Sequence, residues 1–225
     1  MKRYVLIVAG GKGLRMGGNL PKQFIAIGGR PVLMHTLERF CRWDANAECI
    51  LVLPAGQAEC WKHLCEDFHC SAPHRLAEGG ETRFHSVRNG LALLNDNGWV
   101  AVHDGVRPFV ASQVIDNCFA AAERYGASVP ILPVTDSLLH RNDDGTHHPV
   151  ERSRFFVVQT PQVFRSEWIL DAYRQHYTPA FTDDASVVQA AGYPICTVPG
   201  NRENIKITNP LDLQVAEALL NRPPD

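Results

Sequence analysis

The chain lacks the features that would place it at once in a special class. Its first apolar run, Tyr4 to Ala9 (YVLIVA), stops at a glycine after six residues, too short for a signal-peptide core or a membrane span. Charge of one sign is also missing: at a net charge of -2 no global basic field exists to hold nucleic acid, so any phosphate site must come from a local cluster. None of the seven cysteines (41, 49, 60, 65, 70, 118 and 196) pairs with another at CxxC spacing. The odd count, without a secretory signal, predicts reduced thiols and a cytoplasmic location. Cys60, His63 and Cys65 come nearest to a metal cluster, but on a helix positions 60 and 65 are offset by about 140°, which disfavours a shared ligand face. Repeats, low-complexity tracts and linker-like segments are absent too, which points to one domain over residues 1–225.

What is present is an ordinary globular composition, 45% hydrophobic and 20% charged, able to bury a substantial core. Residues 4–9, 49–53 (CILVL), 99–103 (WVAVH) and 127–133 read as short buried strands. Between them, 31–42, 57–68, 83–94 and 111–125 read as helices, the first opening on Pro31 with Leu33, Leu37 and Phe40 on one face. This alternation predicts an α/β fold with a mainly parallel sheet covered on both faces. The pattern breaks after Asp136. Residues 137–140 and 147–150 flank Asn-Asp-Asp-Gly, the signature of a hairpin, in an arm of about 137–153. A two-stranded hairpin is marginal alone in water, so the arm is expected to pack on something, a second subunit being one possibility. Helices at 165–176, 184–191 and 210–221 and a strand at 195–198 complete the expected order.

The chemistry is concentrated after the first strand, in Gly10-Gly11-Lys12-Gly13-Leu14-Arg15-Met16-Gly17-Gly18, followed by Pro21-Lys22-Gln23. Glycines at the carboxyl end of a first parallel strand let backbone N–H groups approach a phosphate. The loop is neither a P-loop nor the dinucleotide fingerprint, since GxxxxGK[ST] is missing and the third glycine of GxGxxG falls at 17. Lys12, Arg15 and Lys22 put three cations within eleven residues, which suits a triphosphate, although a solvated turn with surface lysines has the same composition. Asp104 follows the strand 99–103 at the position where a nucleotide-bound magnesium is met, and where a turn-forming Asp is equally common. Gly79-Gly80, between a short strand and a helix, can face a base or simply turn the chain; Lys206 adds a further cation or is an ordinary surface lysine.

Taken together, these segments resemble the 2-C-methyl-D-erythritol 4-phosphate cytidylyltransferases. The matches run through nearly the whole chain: Ala9-Gly-Gly-x-Gly-x-Arg15-Met, Pro21-Lys22-Gln23, Gly79-Gly80-x-x-Arg83-x-x-Ser86-Val, His103-Asp104-x-x-Arg107-Pro, Pro133-Val-x-Asp136-Ser137, Arg152, Gln159-Thr160-Pro161-Gln162, Thr182-Asp183-Asp184-Ala-Ser and Asn204-Ile-Lys206. The glycine loop alone would fit many nucleotidyltransferases; the ordered set is far more specific. The chain departs from the family's usual Ala at Gly10, Ala-Ala at Gly105-Val106 and Thr at Ser137.

The resemblance implies a Rossmann-like nucleotidyltransferase domain that uses CTP, a small sugar-alcohol phosphate and Mg2+ or another divalent cation. It implies that Arg15, Lys22, Lys206 and Asp104 are catalytic, with Asp104 ordering the substrate or the metal shell. Ala9, Gly10, Gly11, Gly13, Gly80, Glu81, Ser86 and Gly105 would bind CTP. Arg107, Ser137, Arg152, Thr160 and Thr182 would line the sugar-phosphate pocket, Arg152 reaching a partner's active site in an arm-exchanged homodimer. A ribitol 5-phosphate enzyme of the same fold and a non-catalytic nucleotide-binding module are the rival expectations.

Overall fold

The computed structural model describes residues 1–9 and 21–221, without the side chain of Lys22. In chain order the elements are β1 Lys2–Val8, β2 Ala26–Ile27, β3 Arg30–Pro31, α1 Val32–Trp43, β4 Glu48–Leu53, α2 Ala58–Asp67, β5 Arg75–Glu78, α3 Arg83–Leu91, β6 Gly98–Asp104, α4 Ser112–Tyr125 and β7 Ala127–Pro133. They continue with β8 Leu138–Arg141, β9 His147–Val150, β10 Phe156–Val158, β11 Gln162–Arg165, α5 Ser166–Ala172, α6 Asp184–Ala190, β12 Cys196–Pro199 and α7 Pro210–Leu220.

Eight strands form one sheet in the order β10-β7-β11-β6-β1-β4-β5, with β12 also paired to β7. The β1–β4, β1–β6, β4–β5 and β7–β12 pairs are parallel. β10 and β11 run antiparallel to their neighbours and are the elements the sequence pattern does not reveal. Along β1 the side chains alternate: Val5 and Ile7 join a core with Leu33, Leu37 and Phe40 of α1, whereas Tyr4 and Leu6 join one with Phe84 and Val87 of α3. Both faces are therefore covered, and the strands read as continuous apolar runs for that reason. α3 lies so close to the sheet that a Cβ at Gly90 would come within 2.4 Å of Leu6 Cδ1.

Several expected helix boundaries shift. Pro31 is the residue before α1 rather than its first member, α3 ends at Leu91 rather than 94, and α5 ends at Ala172, not near 176. After Ala172 the chain tightens into i→i+3 turns, with Arg174 N–H donating to Asp171 O at 3.0 Å. The hairpin forms as expected: β8 and β9 make a separate two-stranded sheet, largely exposed, with Asn142 N–H donating to Thr146 O at 2.8 Å across the turn. Among the described residues no helix is long and apolar enough to cross a membrane, and all seven cysteines are free thiols.

The carboxyl ends of β1, β4, β5 and β6 converge on one edge and are tied together beyond the ladder. Ala9 N–H donates to Val52 O at 2.9 Å, Gly79 N–H to Leu53 O at 2.6 Å and Gly105 N–H to Val8 O at 2.9 Å. This is the edge where open α/β sheets take ligands.

Candidate active site

A pocket of about 780 Å³ opens at this edge, within the size range of small-molecule sites. On one side stand Val8 and Ala9 at the end of β1, with Pro54 and Ala55 after β4. The β5–α3 connection supplies Gly79, Gly80, Glu81, Thr82, Arg83 and Ser86, and Asp104, Val106 and Lys206 supply the charged end with Arg83.

The β5–α3 turn is shaped by its own residues. Thr82 caps α3, its side chain accepting from His85 N–H at 3.4 Å. Ser86 Oγ donates to Thr82 O at 2.9 Å and accepts from Gly80 N–H at 3.0 Å. A Cβ at Gly80 would fall 2.4 Å from that of His85, so only glycine permits this close turn. The result is a concave backbone surface at a helix N-terminus, suited to a flat polar ring or an anion.

Asp104, the last residue of β6, is the hub of the charged end. Its Oδ2 receives Arg107 Nε at 3.0 Å and Lys206 Nζ at 3.1 Å, while Arg83 Nε lies 3.7 Å from Oδ1. Burial alone would raise its pKa, but Arg83, Lys206 and Arg107 outweigh that and hold the carboxyl well below the usual range. Asp104 is therefore ionised, with three cations around it.

Its backbone is held by a directed hydrogen-bond chain. Asp104 N–H donates to Thr160 Oγ1 at 3.1 Å, and Thr160 Oγ1 is 3.0 Å from His103 Nδ1. The other ring nitrogen, Nε2, lies 2.9 Å from Arg107 O, which can only accept. Nε2 must then carry the proton, so Nδ1 accepts from the Thr160 hydroxyl. His103 is fully buried, and that burial pushes its pKa down to about 4, with Arg107 and Arg83 adding to the fall. The ring is neutral at pH 7, as the chain of bonds requires.

Of the residues singled out in the sequence, Ala9, Gly80, Glu81, Ser86, Asp104 and Lys206 come together around this pocket. Gly105 supports it from behind: its carbonyl accepts from Thr36 Oγ1 at 3.0 Å, and a Cβ there would lie 2.9 Å from Leu33 Cδ1 and 3.1 Å from Ala9 Cβ. The smaller residue fits this chain's packing where the family usually has alanine. Thr160 and Arg107, expected in a sugar-phosphate pocket, bond to Asp104, Thr160 accepting from its N–H and Arg107 donating from Nε to Oδ2, with Arg107 Nη1 donating also to Asn204 O at 2.8 Å. Ser137, Arg152 and Thr182 are exposed and apart from this pocket wall; Arg152 Nη1 donates to Thr135 O at 2.6 Å at the base of the hairpin. Gly10, Gly11, Gly13, Arg15 and the Lys22 side chain lie outside the described residues.

Two charged residues given no role by the sequence belong to the site. Arg83 lines the pocket, and its guanidinium donates from Nη1 and Nη2 to the two oxygens of Asp184 at 2.9 and 2.7 Å. Burial would weaken its charged form, but Asp184 and Asp104 outweigh that and raise its pKa. Both residues stand in the motifs quoted above, and only their pairing, over 101 positions, was hidden.

Comparison with known proteins shows the family. The family profile described as 2-C-methyl-D-erythritol 4-phosphate cytidylyltransferase matches residues 4–222. A protein of that name from Bacteroides thetaiotaomicron is 57% identical over 220 residues, covering 98% of this chain and 100% of its own length. The Porphyromonas gingivalis protein of that name is 53% identical over 221 residues, 97% of this chain and 98% of its own. Among solved structures, the Thermus thermophilus protein of the same name superposes with a TM-score of 0.77 at 35% identity, covering 99% of this chain and 100% of that one. The Anaerococcus prevotii 4-diphosphocytidyl-2C-methyl-D-erythritol synthase does so with a TM-score of 0.83 at 29% identity, covering 98% and 96%. With nearly complete coverage on both sides, this chain belongs to the 2-C-methyl-D-erythritol 4-phosphate cytidylyltransferase family.

Proposed function

We propose that the protein transfers CMP from CTP to 2-C-methyl-D-erythritol 4-phosphate, releasing pyrophosphate and forming 4-diphosphocytidyl-2-C-methyl-D-erythritol for isoprenoid precursor synthesis. The observation that carries this reading, beside family membership, is the cation-ringed Asp104 facing a nucleotide-sized pocket at the carboxyl edge of the sheet. An oxygen of the acceptor phosphate attacks the α-phosphorus of CTP, forming one P–O bond as the bond to the β-phosphate oxygen breaks. A phosphomonoester has a second pKa of about 6, so the nucleophile is ionised at pH 7 and needs no general base. The protein's task is alignment and charge neutralisation. Lys206 suits the attacking side, Gly80 and Ser86 suit the cytidine, and Arg15 and Lys22 are proposed for the α-phosphate and the leaving pyrophosphate.

The donors around Asp104 do not suit direct metal ligation. A dication bound there would join a carboxylate already shared by Arg83, Arg107 and Lys206. Among the described residues no group of three or more His, Cys, Asp or Glu side chains is arranged to hold a metal ion. Magnesium is accordingly proposed to arrive on the triphosphate, held by phosphate oxygens and water, where it would lower the charge of the nucleotide.

A homodimer is part of the proposal. β10 is a sheet edge on which Phe156, Val157 and Val158 are 50, 51 and 43% exposed, next to Phe155 at 45%. A contiguous apolar edge of this kind calls for a covering partner. Arg152 lies between it and the hairpin, and its proposed role is to enter a neighbouring subunit's site. Pyrophosphate release with CTP, magnesium and either methylerythritol phosphate or ribitol 5-phosphate tests the reading. Turnover with the first sustains it, and turnover with ribitol 5-phosphate alone replaces it. Tight CTP binding without release from either would make the protein a binding module.

A further inference from the structure

The long contact between Arg83 and Asp104 needs a cause. A guanidinium beside an ionised carboxylate ordinarily closes to about 2.7–2.9 Å, yet Arg83 Nε stays 3.7 Å from Asp104 Oδ1. The restraint comes from the other side, where both terminal nitrogens of Arg83 are engaged by Asp184. Asp184 is fully buried and firmly anchored. Its Oδ1 accepts from Tyr173 O–H at 2.6 Å, and Tyr173 stacks on Phe84 with ring centroids 4.7 Å apart. It opens α6 directly after the capping residue Asp183, and Gln162 clamps that turn by donating to Asp183 Oδ2 and accepting from Ala185 N–H, both at 2.8 Å.

We propose that Asp184 is a positioning residue for substrate recognition: by holding Arg83 back it keeps Asp104 Oδ1 open as a hydrogen-bond acceptor for a substrate hydroxyl. Oδ2 is already occupied by Arg107 and Lys206, and Oδ1 has no hydrogen-bond donor among the described residues. A phosphate dianion only accepts, so an open, ionised oxygen on this pocket-lining residue selects an O–H. The ribose of the nucleotide and the polyol of the acceptor both supply one. Without Asp184 the guanidinium would swing onto Oδ1 and cap it.

The inference rests on the transfer reaction proposed above, and the test separates the two. Asp184→Asn should raise the KM of the substrate whose hydroxyl meets Oδ1 by about tenfold or more, the scale of a hydrogen bond to a charged group. The kcat should change little. Measuring KM for CTP and for the acceptor separately tells ribose from polyol. The double variant Arg83→Met/Asp184→Asn removes the capping group and should have a lower KM for that substrate than Asp184→Asn alone, a non-additivity that a structural role for Asp184 would not produce. Tyr173→Phe, which keeps the stack on Phe84 and loosens the tether, should shift the same KM in the same direction. An unchanged KM in Asp184→Asn, or a double variant no better than the single one, overturns the inference; should Asp184→Asn not fold, an unchanged KM in Tyr173→Phe does so. A wild-type protein that releases no pyrophosphate overturns the transfer reading itself.

Discussion

Removing the charge of Asp104 should destabilise the protein and at the same time make it a better anion binder. The side chain is 10% exposed and is shared by Arg83, Arg107 and Lys206, whose side chains are 30, 12 and 41% exposed. Breaking a buried pair by deleting one partner costs about 3–5 kcal/mol. Two of the three cations reach solvent, and screening lowers the figure to about 2–3 kcal/mol for Asp104→Asn. At about 2–4 °C per kcal/mol for a chain of this size, the melting temperature should fall by about 5–10 °C. Arg107 and Lys206 would lose this carboxylate while Arg83 keeps Asp184, so pyrophosphate should raise the melting temperature of Asp104→Asn by more than that of the wild type. Thermal melts with and without pyrophosphate measure both effects. The sign with pH follows from the depressed carboxyl pKa: its stabilisation is present above the unfolded value of about 3.9 and is lost as pH falls below it. A variant melting within about 2 °C of wild type, with equal gains from pyrophosphate, would refute the account of Asp104 as a charge hub.

Lys206→Ala should lower kcat by about 100-fold, the scale for losing one transition-state donor, with an unchanged melting curve because the side chain is 41% exposed; normal turnover would remove it from the attacking side. His103 has a folded-state pKa of about 4, below the unfolded value of about 6.5, so the unfolded chain takes up the proton first. Its contribution is complete above about pH 6.5 and is lost as pH falls toward 4, by up to about 3 kcal/mol; urea melts at pH 7 and 5 should show the loss, and His103→Gln should flatten it. Val157→Lys, on the β10 edge, should dissociate the proposed homodimer in sedimentation while leaving the monomer folded, since Val157 is 51% exposed. A variant that sediments like the wild type would place any interface elsewhere.

Elements whose burial is set by neighbours in the chain were legible before the structure. Leu33, Leu37 and Phe40 fall on one face of a single helix and are all fully buried, as their spacing requires. Strand β6 runs one residue beyond the expected 99–103 at each end and brings Asp104 to the ligand edge. β10 and β11 escaped because three- and four-residue strands carry too little pattern, and their pairing with β7 and β6 is a long-range event. Side-chain pairings escaped in the same way. Thr160 is 56 residues from the N–H group it accepts, and Arg83 is 101 residues from Asp184.

The bonds that Thr160 and Arg107 make add a positioning role to the motifs around Asp104. The hydroxyl of Thr160 bridges His103 and the Asp104 backbone. His103 must be neutral for that chain to run, and its burial keeps it so. Arg107 closes the chain with its carbonyl and returns to Asp104 Oδ2 with its guanidinium. His103, Arg107 and Thr160 are thus one device that sets the position of a single carboxylate, from its backbone and from one of its oxygens. Asp184 and Arg83 govern the surroundings of the other oxygen. Among the described partners of Asp104, Lys206 is the one that combines an exposed side chain with a place on the pocket wall. It is therefore the cation best able to follow a phosphate through the reaction.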